Sequence, residues 1–189
     1  MASSSAPRNP RRKIRTAAAL ARLARQARRA GRRVVFTNGC FDLLHAGHLD
    51  YLERVRSRAG VLIVAVNSDH SVRRLKGRGR PLVPERERAR LVAALKPVDF
   101  VTIFSEPTPL KVIRAVQPDL LAKGGDWAKQ AIVGREVVEG RGGKVLVIPY
   151  LKGHSTTGLV RKILGAYPVP GTDRRGRSSS RGKRPLLCR

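Results

Sequence analysis

"FTNGCFDLLHAGHLDYLE", residues 36–53, carries the end of an apolar run through a glycine turn into a segment with helical spacing. Val34, Val35 and Phe36 stopped by Thr37, Asn38 and Gly39 read as a short buried strand entering a turn. Gly39 allows a backbone conformation or close approach that other residues resist. Leu49, Leu52 and Val55 then share one face of a helix running to Arg58. His45, Gly47 and His48 sit at its start, where free N–H groups and the helix dipole favour an anion. Two imidazoles add donors there, and Gly47 lets a phosphate approach the backbone. That combination suits a polyphosphate whose charge shifts during transfer. Two other readings stay open. Cys40, His45 and His48 are three potential transition-metal ligands, although no fourth Cys or His lies nearby and the spacing matches no common zinc site. Alternatively, both histidines are satisfied helix caps. Asp42, between the turn and the histidines, opposes a phosphate unless it holds Mg²⁺ or accepts a hydrogen bond from a second substrate.

Outward from this stretch the pattern repeats. Upstream, Thr16–Arg29 is an Ala/Arg-rich helix stopped at Gly31. Downstream, "VLIVAVNSD" (61–69) is a strand covered on both sides. "RRLKGRGRPLVP" (73–84) reads as a basic, glycine-punctuated loop. "PERERARLVAAL" (84–95) is a helix with Pro at its start and acids in its first turn. "VDFVTIF" (98–104) is a strand, and "TPLKVIRAV" (108–116) a helix capped by Thr108. A strand in "PDLLAKGGDW", a helix in "GREVVEGRGG", the strand "KVLVIPY" (144–150) and the helix "STTGLVRKIL" (155–164) complete the series. Alternating strands and helices predict an α/β fold: a Rossmann-like open parallel sheet with helices on both faces. Ligands of such sheets bind beyond the carboxyl ends of the strands, where the glycine- and hydroxyl-rich features of this chain fall.

Two of those features extend the phosphate reading. In "HSTTG" (154–158), Ser155, Thr156 and Thr157 offer three hydroxyls where capping needs one, so they suit a second phosphate grip as well as a plain cap. "RRLKGRGR" and "LAKGGDW" bring Lys76, Arg78, Arg80 and Lys123 as neutralising charges, while Asp126 suits a sugar hydroxyl or a metal ion. A charged loop is equally well a solvated surface.

The 189 residues suffice for one domain with a real core. The formal net charge of +27 is unevenly placed: +11 lies in residues 1–33, +6 in 165–189 and +10 in the rest. The predicted organisation is a basic disordered tail at 1–13, a domain at 14–164 and a second basic disordered tail at 165–189. Such tails suit nucleic acid through counterion release. No aromatic residue precedes Phe36, so the N-terminal segment has no stacking platform for bases, and a nucleic-acid partner is disfavoured. Its Arg-rich, acid-free composition also fits an organellar transit peptide. The expectation is a cytoplasmic protein without membrane spans, because no apolar run approaches the ~18 residues needed to span a bilayer. Cys40 and Cys188 are the only cysteines and imply no disulfide framework.

Taken in order, "NGCFDLLHAGH", "VAVNSD", "LKGRGRPLVP", "KGGDW" and "GHSTTGLVRKI" resemble the cytidylyltransferase-like branch of the HxGH nucleotidyltransferases. Within it, the chain is most similar to heptose-1-phosphate adenylyltransferase domains, over about residues 14–164. The resemblance implies a Mg²⁺-dependent joining of a nucleoside triphosphate to a sugar phosphate or phosphorylated alcohol, releasing pyrophosphate. It implies that His45 and His48 contact the triphosphate and stabilise the transition state, with Lys76 steadying the phosphates. Ser155, Thr156 and Thr157 would hold the β/γ-phosphates. Thr37, Asn38, Gly39, Cys40 and Phe41 would line the nucleotide cleft largely through backbone, with Gly47, Lys123 and Gly124 on the nucleotide and Asp42, Arg80 and Asp126 toward the acceptor or metal. Glycerol-phosphate cytidylyltransferases carry Arg-Thr-Glu-Gly before their Ser-Thr motif. "YLKGHSTT" lacks that Arg and Glu, which favours ATP over CTP. A homodimer is compatible with the family, and a separate heptose kinase is the expected source of the sugar phosphate.

Overall fold

The computed structural model describes residues 9–58, 60–125 and 128–167. Asp126 and almost all of the 165–189 segment lie outside the described residues.

Five strands, β1 (Val34–Gly39), β2 (Val61–Asn67), β3 (Phe100–Phe104), β4 (Leu120–Gly124) and β5 (Lys144–Ile148), form one sheet in the order β3-β2-β1-β4-β5. Every pairing is parallel, with Val35 opposite both Leu62 and Leu120. Strand residues alternate between two cores, as the two-residue strand period requires. Val34, Phe36, Ile63, Ala65, Leu121 and Val145 face one layer with Leu20 and Ala24 of α1 (Ala17–Arg29) and Val112 and Ile113 of α5 (Leu110–Val116). Val35, Leu62, Val64, Val66 and Ala122 face the other with Leu52 and Val55 of α2 (Ala46–Arg56) and Ala89 and Val92 of α4 (Glu85–Ala94). Two aspartates fix neighbouring strands at their amino ends: Asp119 accepts from the Val34 amide and Asp99 from the Leu62 amide, each at 2.7 Å.

Chain order reverses at β1, with β2 on one side and β4 on the other. Ligands of such sheets bind at the carboxyl ends of the strands beside the switch point, where Asn38–Gly39 and Lys123–Gly124 end β1 and β4.

Several expectations change. Pro10–Lys13 is a 3₁₀ turn held to the domain rather than tail: the Lys13 ammonium donates to the Val98 carbonyl at 2.7 Å and Ile14 bridges Val101. The basic "RRLK" stretch is not loop. It is the end of α3 (Asp69–Lys76), which Ser68 caps through the Ser71 amide at 3.2 Å. Gly77 stops it with φ +90°, a conformation that favours glycine. Thr108 does not cap α5; Pro109 occupies the cap position with no side-chain hydrogen bond. The buried face of α2 is Gly47, Tyr51, Leu52 and Val55, leaving Leu49 exposed. The remaining helices are α6 (Arg135–Glu139) and α7 (Thr156–Ala166). Among the described residues, no helix is long and apolar enough to cross a membrane.

Candidate functional site

The β1–α2 turn builds the floor of the site. Thr37, 1% exposed, shares a 2.7 Å hydrogen bond with the Tyr51 hydroxyl, so its side chain is committed and only its backbone faces the site. Burial pushes the Tyr51 phenol up, keeping it protonated. Asn38 reaches across the switch point and accepts a 2.8 Å hydrogen bond from the Lys123 ammonium at the end of β4. Burial lowers the pKa of Lys123. Phe41 takes a left-handed φ of +47°, unfavourable for a side chain with a Cβ. Its ring packs near Gly39, where a Cβ would meet it at 3.1 Å, and its centroid lies 5.3 Å from that of His48.

At the start of α2, His45 and His48 stack with ring centroids 3.9 Å apart. His45 occupies the cap position without a side-chain cap bond, so neither ring serves as the cap that one sequence reading allowed. His45 Nδ1 and His48 Nδ1 are buried with no hydrogen-bond partner, and a buried polar atom without a partner costs free energy unless a ligand compensates. Burial lowers the pKa of both rings. His154 depresses His45 further, and His45 depresses His48, which falls to about 4. A histidine whose native pKa lies below its unfolded value of ~6.5 leaves the unfolded chain binding more protons between those values. Stability therefore falls as the pH drops from ~6.5 to about 4. Urea midpoints measured across this window should decline less steeply in His48→Asn than in the unmodified protein.

The start of α7 meets the start of α2 directly. Ser155 caps α7, accepting from the Gly158 amide at 3.0 Å, which leaves the Thr156 and Thr157 hydroxyls at the exposed end. A Cβ on Gly47 would lie 2.9 Å from the Cβ of His154 and 3.1 Å from His45 Nδ1. Glycine at 47 is thus what lets the two helix starts approach. His154, which the sequence reading quoted without giving it a role, places its ring centroid 6.5 Å from that of His45. Its Nδ1 donates to the Lys152 carbonyl at 3.0 Å, which leaves Nε2 without a role in holding the loop. Gly124 and Gly125 are covered by the Tyr150 ring, which a Cβ on either would strike at 2.8 or 2.5 Å.

The residues expected on the acceptor side are tied into the structure. Asp42 is 2% exposed and its carboxylate accepts from the Leu82 amide (2.8 and 3.1 Å) and the Val83 amide (3.0 Å). It also forms a 2.7 Å ion pair with the Arg80 guanidinium, although that N–H is not aimed along a hydrogen bond. In the free protein each charge is thus engaged by the other, and the Asp42 carboxylate also by the loop. Lys76 ends α3 exposed, close enough to Cys40 to favour its thiolate. Burial outweighs that pull and raises the Cys40 pKa. Among the described residues, no group of three His, Cys, Asp or Glu side chains, Cys40, His45 and His48 included, is placed to hold a metal ion.

The family model for "Cytidylyltransferase-like" proteins matches residues 36–181. "Bifunctional protein HldE" of Citrifermentans bemidjiense is 55% identical over 137 residues, covering 72% of this chain and 28% of that protein. The protein of the same name from Bradyrhizobium sp. is 56% identical over 130 residues, covering 69% of this chain and 26% of the relative. The chain thus spans about a quarter of the length of these curated relatives. Among solved structures, a lipopolysaccharide core biosynthesis protein from Thermoplasma volcanium superposes with a TM-score of 0.55 at 28% identity, covering 66% of this chain and all of the other. Stacked imidazoles at one helix start, a hydroxyl-rich second start and a family match across both motifs agree: this chain belongs to the cytidylyltransferase-like family.

Proposed function

We propose that this chain is a nucleotidyltransferase that joins ATP to D-glycero-β-D-manno-heptose 1-phosphate, giving ADP-heptose and pyrophosphate. The observation that carries the reaction class is the meeting of the α2 and α7 starts, with the Nδ1 atoms of His45 and His48 buried there without hydrogen-bond partners. The likeness to bifunctional HldE proteins supports the heptose substrate.

The chemistry asks little of a base. An oxygen of the sugar phosphate, already ionised near neutral pH, attacks the α-phosphorus in line. The bond to the bridging oxygen breaks, and pyrophosphate leaves with the electron pair. His45 and His48 act where charge grows on that leaving group, and a bound polyanion raises their pKa values from the depressed values of the free protein. Ser155, Thr156, Thr157 and His154 Nε2 hold the outer phosphates, and Lys76 neutralises them. Lys123, fixed by Asn38, stands at the nucleotide side of the site. Mg²⁺ would arrive with the triphosphate as part of the substrate. A kinase forming the sugar 1-phosphate supplies the acceptor.

Cys40 has no covalent role here, because its raised pKa keeps it a thiol. Cys40→Ser should retain turnover within a few-fold, as read by pyrophosphate release; a folded variant without turnover would count against in-line transfer. The substrates are tested by crossing ATP and CTP with heptose 1-phosphate and glycerol 3-phosphate. Release only with ATP and the heptose supports the proposal, whereas release only with CTP replaces the nucleotide.

A further inference from the structure

Arg88 heads the fully buried side chains of the described residues in size, at 0% exposed, yet nothing in the reaction calls for a charge at that point of α4. Sealing an ion inside a core is costly, and an apolar side chain of similar volume would fill the space without that cost. Its partners explain the charge. Nε donates to the Val83 carbonyl at 2.8 Å, one terminal nitrogen donates to the Cys40 carbonyl, and the other donates to Asp69 at 2.8 Å in an ion pair.

Asp42 works on the same segment from the other side, holding the Leu82 and Val83 amides. Leu82 and Val83 are therefore gripped through amide and carbonyl together. Both grips lead back to Cys40–Asp42, the turn that contains left-handed Phe41 and its contact with His48. Lys76 and Arg80 lie at the start of the loop that this grip ties down.

We propose that Arg88 is a positioning residue: with Asp42, it locks the segment ending at Val83 to the β1–α2 turn. The basic side chains of that segment and His48 thereby hold one geometry during phosphate transfer. The kinetic part rests on the nucleotidyltransferase reading; the mechanical part does not.

The test compares Arg88→Lys, Asp42→Asn and the double variant by amide hydrogen exchange and by pyrophosphate release. The expected result is faster exchange at Leu82 and Val83 while the β1 and β2 amides stay protected. Turnover should fall about tenfold or more with a smaller change in KM for ATP, the mark of an interaction realised in the transition state. The double variant should fall little below the worse single one, because both side chains serve one clamp. Should Arg88→Lys fail to fold, Asp42→Asn, which keeps the side-chain shape, carries the same comparison. Unchanged exchange at Leu82 and Val83, or kcat within twofold of the unmodified protein, would overturn the proposal. An unmodified protein that releases no pyrophosphate would sink the functional reading, and the exchange rates would still decide the clamp.

Discussion

Replacing both His45 and His48 by alanine should slow pyrophosphate release by about 10³-fold or more while leaving the fold intact. Removing one preorganised donor to developing charge costs ~10²–10³ in turnover in well-studied enzymes, and here two stacked donors go together. The fold should tolerate the loss for a physical reason. Each ring has a buried nitrogen with no partner and a pKa depressed by burial, so in the free protein the pair contributes strain rather than support. Circular dichroism and urea unfolding at neutral pH should match or slightly exceed the unmodified protein. Equal losses of turnover and stability would show that the histidines are structural.

Gly47→Ala should separate stability from activity even more plainly. Alanine in the first turn of α2 gains up to about 1 kcal/mol of helix propensity over glycine, so the midpoint of unfolding should hold or rise. The new methyl, however, would lie 2.9 Å from the His154 Cβ, closer than such contacts allow, and a tight 3.1 Å from the His45 ring. His154 is on an exposed loop and gives way, taking the Ser155 cap and the start of α7 with it. The two helix starts then stand apart, and kcat/KM for ATP should drop by about tenfold or more, as small misplacements of reacting groups do. A fully active Gly47→Ala would mean that the closeness of α2 and α7 is incidental.

Much of the fold was legible because β1 and β2 are covered on both faces and their apolar runs end abruptly at Asn38–Gly39 and Asn67–Ser68. The histidine pair was legible for the same reason: it follows directly from a strand end. Long-range polar partnership was not. The partners of Asp42 in the free protein, the Leu82 and Val83 amides, lie about forty residues away and leave no side-chain signature. Arg88 drew no attention in "PERERARL", since backbone carbonyls that receive a buried guanidinium are invisible in sequence. The helical state of "RRLK" was hidden by its neighbouring glycines, although Ser68 four residues before Val72 was a cap signal in plain view. His154 stood inside a quoted motif, but its meeting with Gly47 depends on how β5 delivers α7 to the switch point.

The central claim is transfer of the α-phosphoryl nucleotide to a sugar phosphate, and labelled ATP tests it most directly. With heptose 1-phosphate and Mg²⁺, label placed at the α-phosphorus should appear in a sugar nucleotide, and label at the γ-phosphorus should appear in pyrophosphate. Gamma label arriving on the sugar, or alpha label remaining in ATP while the acceptor is present, would contradict the account.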